Sequence, residues 1–468
     1  MPGDLTIAQR PGENSVRRKL CTMMFLQFFI WGAWFELGFD YIPKLGFNGD
    51  WQLPLIFGAF NVGALVALFF STQFADRKFA AEKFLAFSHL IGGLAILGLY
   101  FVKPETDAAG KVTEAAANAV FWPFFFLMLL HSIFYVPTVS ITNSIAFANL
   151  RSPSTQFGPI RLWGTIGWIA ASWPFIFILI DWAKVPAYNS LPFFDWVGKA
   201  LGTSVKGADA MDLKRSIFLV AGVASLVLAA FSLTLPHTPP KPAVEGEDSL
   251  AWLKAMKLLK NPFVAVLFLV TFIDAAVHQS FFYWTFTFLG PTADGGVVDI
   301  GANWVGPVMK IGQLAEIITM LFLGYVLKNF GWRTTMIVGV LGHAVRFAVF
   351  AFYPEQVPAI LVNVIHGICY AFFFATVYIF VDEFFPKDVR SSAQGLFNVL
   401  ILGVGPFVAN FACGILKTQN TTKDALGKDV LNYPAVFQVS MIAALVGSVL
   451  LLLFFHPPKQ PVGSTAPQ

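Results

Sequence analysis

Charged residues are scarce in this sequence of 468 residues. Lys, Arg, Asp and Glu together make up 12% of it, which is about half the share found in soluble domains. Hydrophobic residues make up 56%, and the mean hydropathy is +0.67. This composition excludes the soluble multidomain protein that the length alone would suggest, and it predicts an integral membrane protein.

Cysteines and enzyme motifs are scarce as well. Cys21, Cys369 and Cys413 lie in or beside apolar runs, and they form neither a disulfide framework nor a metal-ligand spacing. The sequence contains no P-loop, HExxH, GxSxG or CxxC motif, so we expect no enzyme activity and no cofactor. The net charge of +4 comes from Lys and Arg scattered through the loops, and it predicts no nucleic-acid partner.

Twelve apolar runs follow one another along the chain. Each is long and continuous enough for a membrane-spanning helix of roughly 20 residues, and too long for a strand of a membrane barrel. The polar segment before the first run is followed by no small-residue cleavage site, so we expect that run to be retained as a helix. The approximate limits of the runs are 20–41, 53–74, 84–102, 118–146, 160–180, 216–235, 263–289, 305–327, 335–353, 358–381, 393–416 and 433–455.

The longest connection follows the sixth run and divides the chain. It begins PHTPPKP, where proline prevents the helix from continuing, and residues 250–262 predict an amphipathic helix on the cytoplasmic membrane surface. The linker 236–262 thus separates an N-terminal half, 1–235, from a C-terminal half, 263–468, with six predicted spans each. Lys and Arg are more numerous on the side of the termini, which predicts that both termini are cytoplasmic.

Polar side chains inside the runs are the candidate functional residues, because charge in an apolar span is costly and usually functional. The segment FGPIRLWGTIGWI at 157–169 places Arg161 in such a run, with Thr165 and Trp168 on the same helical face at i+4 and i+7. One alternative stays open. Arg161 can instead lie at the cytoplasmic membrane edge and extend its charged end into water.

Further polar residues lie in the first, seventh and eighth runs. Gln27 and Trp31 share one helical face and can bind a heteroaromatic base by hydrogen bonding and stacking, or serve only in helix packing. Gln313 and Glu316 are three residues apart, so both can face one cavity. A carboxyl group inside an apolar span is hard to ionise and can carry a proton, which makes Glu316 the first candidate for proton coupling and Asp274 the second.

The remaining charged or titratable residues in the spans carry weaker expectations. We expect Glu36 at the outer membrane edge and Lys310 near the outer end of its span, where its charge can reach water. We expect Arg346 in a structural ion pair. His278 and His366 are weak candidates that we expect to be merely hydrogen-bonded.

Six segments resemble, in the same order, the bacterial nucleoside permeases, which are the nucleoside:proton symporters of the major facilitator superfamily. The resemblance covers nearly the whole chain. It implies an all-α membrane protein with twelve transmembrane helices in two six-helix halves, which takes up a nucleoside with a proton by alternating access. The segments are FLQFFIWGAW at 25–34, YVPTVSITNSIAF at 135–147, FGPIRLWGTIGWI at 157–169, GQLAEI at 312–317, RFAVFAF at 346–352 and RSSAQGLF at 390–397.

The resemblance also implies site residues. The Arg and Thr on the fifth helix of the family match Arg161 and Thr165. The Gln on its seventh helix matches Gln279, and the Gln and Glu on its eighth helix match Gln313 and Glu316. These residues, with Gln27, Trp31 and Trp168, form the predicted substrate site.

Two positions depart from the family pattern. Phe282 stands where the family has an Asn one turn after the seventh-helix Gln. Ala371, in CYAFFF at 369–374, stands where it has an Asp that is linked to function. Ribose recognition and proton coupling therefore depend on other residues or are absent.

We therefore expect a multi-pass transporter of the bacterial inner membrane. Its partners are a nucleoside, a proton and membrane lipid, and it is expected to be a monomer. The alternative within transporters is a symporter or facilitator for a sugar or another polar metabolite, because a fold does not determine a substrate. A non-transporting membrane sensor is the alternative from another class.

Overall fold

The computed structural model describes residues 13–70, 79–107, 112–151, 153–240, 256–385, 390–425, 427 and 429–457. Most of this part of the chain is helical, as the composition predicted. Two π-helical segments, Tyr370–Ala375 and Val399–Val404, and an antiparallel hairpin of β1 (Thr421–Lys423) and β2 (Asp429–Leu431) accompany the α-helices. The α-helices are α1 (Glu13–Tyr41), α2 (Gln52–Phe70), α3 (Ala81–Leu99), α4 (Glu114–Ala148), α5 (Pro153–Ala170), α6 (Trp173–Ile178), α7 (Phe193–Leu201), α8 (Gly207–Lys214), α9 (Ser216–Ser232), α10 (Pro262–Leu289), α11 (Ala302–Met309), α12 (Ile311–Phe352), α13 (Gln356–Leu361), α14 (Ile365–Cys369), α15 (Thr376–Phe384), α16 (Arg390–Asn398), α17 (Gly405–Asn420) and α18 (Tyr433–Phe454).

Nine helical stretches in the described ranges are long and apolar enough to cross a membrane. One of them, Ala302–Phe352, has 51 residues, which is about twice the length of one crossing. Gly331 interrupts it with a φ of 73° and a ψ of 170°, so the helix breaks between the runs predicted at 305–327 and 335–353. The nine stretches are Asn14–Leu45, Ala81–Leu99, Glu114–Ala148, Asp209–Ser232, Pro262–Leu289, Ala302–Phe352, Gln356–Phe384, Ala393–Asn420 and Tyr433–Phe454.

The other predicted runs also correspond to helices. The run at 53–74 corresponds to α2, and the run at 160–180 to α5 followed by the short α6. Of the amphipathic helix predicted over 250–262, the part 250–255 lies outside the described residues, and Leu258–Lys260 form a short 3-10 helix.

Glycines allow α5 to pack closely against α1. A Cβ atom added to Gly32 of α1 would lie 2.9 Å from the carbonyl oxygen of Trp168, and one added to Gly167 of α5 would collide with the backbone of Phe25. Small residues at such contacts let two membrane helices approach each other. The glycines of the fifth predicted run thereby hold α5, with its polar face, directly against α1.

The π-helical segment Tyr370–Ala375 interrupts the tenth predicted run. The hydroxyl of Thr376 donates a hydrogen bond to the carbonyl oxygen of Ala371 at 3.0 Å. Segments of π-helix inside membrane or soluble helices are frequent at functional sites. This one contains Ala371, the position at which the sequence departs from the family pattern.

At one end of the molecule, residues before the linker 236–262 contact residues after it. At the end opposite the termini, the buried ammonium of Lys214 lies 2.7 Å from Asp40 and 3.2 Å from Asp294. At the same end, Asn303 donates a hydrogen bond to the carbonyl oxygen of Leu201 at 3.0 Å. These contacts close the described part of the molecule at the end opposite the termini.

Candidate functional site

The polar face of α5 meets an aromatic ring of α1. The guanidinium carbon of Arg161 lies 4.0 Å from the centre of the Phe28 ring, a distance typical of a cation–π contact. Gly164 leaves room for this arrangement, because a Cβ atom there would lie 2.6 Å from Arg161 Nη1 and 2.6 Å from Phe28 Cδ2. Arg161 and Thr165 are half-buried and share one helical face, as the sequence predicted.

Glu316 faces this group from the other half of the chain. It lies on α12 and is half-buried, and the Arg161 guanidinium acts on it electrostatically. Tyr370 of the π-helical segment lies within electrostatic range of both residues. Among the described residues Arg161 forms no salt bridge within 4.0 Å, so its five N–H donors are available to a ligand.

Two tryptophans form an aromatic wall beside this group. Trp31 of α1 stacks on Phe60 with a centroid distance of 4.8 Å, and its ring meets Trp168 edge-to-face at 5.2 Å. In the part of the chain that the structure describes, neither indole N–H of this pair has a hydrogen-bond partner, although both nitrogens are buried. Because an unsatisfied buried donor costs about 1–3 kcal/mol, both N–H groups are suited to a polar ligand atom.

Lys310 closes the site towards the end opposite the termini. Its ammonium lies 2.7 Å from Glu36 Oε1 and 4.3 Å from the centre of the Trp168 ring, and both charged side chains are buried. The expectation that Lys310 reaches water is wrong, because its charge is neutralised by Glu36 inside the protein. The expectation that Glu36 lies at the outer membrane edge stays a prediction. A cleft beside this pair is lined by Gly32, Glu36, Ser172, Phe286, Asn303 and Gly306, among others.

Gln27 lies in a network inside the N-terminal half. Its amide nitrogen donates a hydrogen bond to the Thr138 hydroxyl at 2.8 Å, and its amide oxygen lies 2.9 Å from His89 Nε2. Its side chain is fully buried. The structure therefore does not bring the amide of Gln27 to the group around Arg161, although Trp31, one turn further along α1, belongs to it.

Gln279 lies in a chain of amides that joins the two halves. Its nitrogen donates to Asn410 Oδ1 at 2.9 Å, and Asn410 donates in turn to Asn61 Oδ1 at 3.2 Å. Asn61 of α2 donates to the carbonyl oxygen of Leu402 at 2.9 Å. Asn61 and Asn410 were not predicted as functional residues, because nothing in the local sequence of either span pairs one with the other.

Gln313 contacts a cluster of histidines. Its amide nitrogen lies 3.3 Å from His366 Nε2, and its amide oxygen is buried without a hydrogen-bond partner in the described part of the chain. Arg346 lies 2.7 Å from His366 Nδ1 and 2.7 Å from His343 Nδ1. The expectation of a structural ion pair for Arg346 is wrong, because its guanidinium is bound by two imidazole rings and not directly by a carboxylate.

Asp274 lies at the far end of the same cluster. Its Oδ1 is 3.6 Å from His343 Nε2, and its side chain is fully buried. His343 stands three residues before Arg346 on α12, so a search for polar pairs at helical spacing could have found it. The predicted residues thus fall into separate sets, in which Arg161, Trp31, Trp168 and Glu316 lie together and Gln313 leads to Asp274.

The chain matches known proteins over nearly its whole length. The family described as nucleoside H+ symporters matches residues 14–194 and again 193–460. The protein YegT of Escherichia coli (strain K12) is 29% identical over 445 residues, which cover 94% of this chain and 93% of that protein. The xanthosine permease of the same organism is 28% identical over 418 residues, which cover 86% of this chain and 88% of the permease.

The fold is shared with solved transporter structures. A crystal structure of the nucleoside transporter NupG gives a TM-score of 0.73 at 22% identity and covers 95% of this chain and 100% of its own. A D-xylose-proton symporter gives a TM-score of 0.66 at 11% identity and covers 94% of this chain and 98% of its own. At such identities the likeness is one of fold alone, and it confirms a helical fold of the major facilitator type.

The family match and the apolar helices together establish the class of this protein and its place in the membrane. The matched relatives include permeases, which confirms the expectation of a transporter and not an enzyme. The nine apolar stretches make it a multi-pass inner-membrane protein. On the match of its family over residues 14–194 and 193–460, the chain belongs to the nucleoside H+ symporters.

Proposed function

We propose that this chain takes up nucleosides together with protons by alternating access of twelve membrane spans. Support for the count comes from three features beyond the nine apolar stretches. Ala302–Phe352 is long enough for two spans and breaks at Gly331. The apolar helix α2 and the pair α5 and α6 account for the other two. The halves are 1–235 and 263–468, joined by the linker 236–262.

We propose that both termini are cytoplasmic, as the distribution of Lys and Arg indicates. In that orientation the contacts of Asp40, Lys214 and Asp294 close the periplasmic side. The described conformer is then one whose periplasmic side is closed. Rocking of the halves would open this side.

The observation that supports the substrate assignment is that Arg161 and Glu316 lie within electrostatic range of each other. Beside them stands an aromatic wall whose two indole N–H groups have no partner among the described residues. A nucleoside combines a flat base with a ribose rich in hydroxyl groups. The base would stack on Trp31 or Trp168, and base–aromatic stacking is worth about 1–3 kcal/mol. The guanidinium of Arg161 would donate two parallel hydrogen bonds to oxygens of the base or ribose.

This proposal keeps Thr165, Gln279 and Gln313 as substrate contacts, although their side chains differ in their contacts within the protein. Thr165 lies on the same helical face as Arg161 and is half-buried. Gln313 and Gln279 each have one amide atom engaged within the protein. Gln27 is enclosed by Thr138 and His89, so it would support the site through α1 and not by touching substrate.

Glu316 is the proposed proton carrier of the substrate site. Its position opposite Arg161 lets the two charges attract each other while the site is empty. Substrate that binds Arg161 competes with this attraction, and a proton on Glu316 removes it. Binding of a proton and binding of a nucleoside therefore favour each other, which is the coupling that a symporter needs.

Transport into proteoliposomes tests the function directly. Purified protein would be reconstituted, and uptake of labelled uridine or adenosine would be driven by an acidic outside. Competition by unlabelled nucleosides and failure of sugars to compete are the expected results. Competition by a sugar alone would favour the polar-metabolite alternative, and binding without uptake or exchange would favour the sensor.

A further inference from the structure

A chain of buried side chains runs through the C-terminal half and ends at the predicted substrate contact Gln313. It begins at Asp274 on α10 and passes through His343 and Arg346 of α12 and His366 of α14. All four side chains are at most 2% exposed. The mechanism proposed above uses the Gln313 end of this chain and gives no role to the rest of it.

The contacts of Arg346 determine the protonation of both imidazole rings. A guanidinium only donates hydrogen bonds, so Nδ1 of His343 and Nδ1 of His366, each 2.7 Å from it, must accept. Both rings are therefore neutral and carry their proton on Nε2. Neither ring can become charged without losing its hydrogen bond with Arg346.

The two Nε2–H groups then point to opposite ends of the chain. That of His343 faces Asp274 Oδ1 at 3.6 Å, and that of His366 faces the amide of Gln313 at 3.3 Å. A donor at His366 Nε2 requires the oxygen of Gln313 to face it. This orientation, which is a half-turn of the amide, also satisfies the Gln313 oxygen, which is otherwise buried without a partner in the described chain.

Asp274 is the group of this chain that can change its charge. Both of its oxygens are buried and lack hydrogen-bond partners among the described residues. The titratable or charged groups around it are His343 and Arg346 of α12, Cys369 of α14 and His278 of its own helix. Since Arg346 keeps its charge and holds His343 neutral, a proton arriving at this cluster is taken by the carboxylate.

His278 is a further buried imidazole near Asp274. It lies one helical turn from Asp274 on α10, and its Nδ1 is buried without a partner in the described part of the structure. The centre of its ring is 6.5 Å from that of Tyr370, which lies within electrostatic range of Arg161 and Glu316. The cluster around Asp274 thus extends towards the substrate site.

We infer that His343, Arg346 and His366 are positioning residues that transmit the charge of Asp274 to Gln313. An ionised Asp274 attracts the Nε2–H of His343 across the 3.6 Å gap towards hydrogen-bond distance, about 2.7–3.2 Å. Arg346 and His366 follow, because each is bonded to the next, and the hydrogen bond to Gln313 changes. A protonated Asp274 releases this pull. The inference rests on the proposed function, since it takes Gln313 as a nucleoside contact.

The experiment measures the affinity for uridine and adenosine from pH 5.5 to 8.5 by calorimetry in detergent, with exchange across liposomes as a second readout. A single linked proton changes the affinity by up to about tenfold per pH unit. Asp274→Asn resembles the protonated carboxyl, so it should remove the part of the pH dependence that Asp274 contributes and leave the part that Glu316 contributes. His343→Asn keeps an acceptor for Arg346 and removes the Nε2–H that faces Asp274.

His343→Asn should remove the same part of the pH dependence as Asp274→Asn does, although its carboxylate is intact. The double variant should behave like either single variant, because both changes interrupt one chain. Exchange should survive in all three. His131→Gln is the matched control, since His131 is also fully buried with one hydrogen bond, 2.9 Å from the carbonyl oxygen of Gly92, but lies in the other half.

Three results would overturn the inference. A wild-type pH dependence in His343→Asn would show that Asp274 acts without the chain, and equal losses of exchange at every pH would mark His343 as merely structural. A wild type that transports nucleosides with no pH dependence of binding would remove the coupling itself. Failure of the wild type to exchange any nucleoside would instead refute the proposed function.

Discussion

Removing the ammonium of Lys310 should shift the protein out of the conformer that is closed at the end opposite the termini. The nitrogen lies 2.7 Å from Glu36 Oε1, and both side chains are buried. At an effective dielectric constant of about 20, this separation corresponds to an attraction of about 6 kcal/mol. Lys310 also contacts the Trp168 ring at 4.3 Å, which adds up to about 2 kcal/mol when the pair is desolvated.

Much of this attraction offsets the cost of taking both charges out of water. Removing one partner of a buried pair typically costs about 3–5 kcal/mol, because the other charge stays buried and unpaired. Lys310→Met leaves Glu36 in that situation only while the halves are closed around it. The closed conformer should therefore lose about 3 kcal/mol relative to the open one, which is more than a hundredfold in population.

Spin labels at Lys199→Cys and Thr422→Cys can measure this shift by pulsed electron resonance. Both residues are exposed and lie at the end opposite the termini, one in each half. Replacement of the native cysteines, of which Cys369 and Cys413 are buried and Cys21 is half-buried, leaves only these labels. The distance distribution should lengthen in Lys310→Met and in Glu36→Gln.

The double variant Glu36→Gln/Lys310→Met provides the control. It removes both charges, so its distances should return most of the way to those of the wild type. Single variants with an unchanged distance distribution would refute the reasoning. A double variant that stays as open as the single ones would show that packing around Trp168, and not charge, holds the closed state.

Arg161→Lys keeps the charge but loses the planar donor fork. Uptake of labelled nucleoside should therefore fall strongly, while immunoblots show near-normal expression. Near-normal uptake would place Arg161 at the membrane edge. Glu316→Gln should retain exchange across liposomes but lose accumulation driven by a pH gradient, which for one proton per substrate reaches about tenfold per pH unit; surviving accumulation would transfer the role to Asp274. Single cysteines at positions 245 and 462, both outside the described residues, should resist an impermeant reagent added to intact cells, and labelling of either would break the twelve-span topology.

The helices and the polar face of α5 could be predicted from local pattern. A membrane helix must form its backbone hydrogen bonds within itself, so an apolar run of sufficient length predicts the helix and nearly its limits. The run at 263–289 corresponds to α10, and the run at 433–455 corresponds to α18. The face that carries Arg161 followed from helical spacing alone. Its contact with Phe28 depends on how α5 packs on α1, which the glycines between them allow.

The partners of buried charges could not be predicted in the same way. Glu36 and Lys310 are separated by more than half of the chain, and their pairing depends on how the two halves close. From the sequence alone, each residue is predicted near the end of a span, where a charged side chain usually extends into water. The partners of Gln27 were unpredictable for a related reason, since its spacing with Trp31 is visible in the sequence but Thr138 and His89 lie on other helices.

The departure at Ala371 and the buried Asp274 are best understood together. Ala371 is fully buried in the π-helical segment, so an Asp there would place a carboxylate inside the C-terminal half. Cys369, two residues earlier, lies within electrostatic range of Asp274 and close to α12 at Gly342. A second buried carboxylate at 371 would add a further acidic group that is costly to ionise. This chain instead buries Asp274 beside His343 and close to Arg346, so its buried acidic group enters from α10.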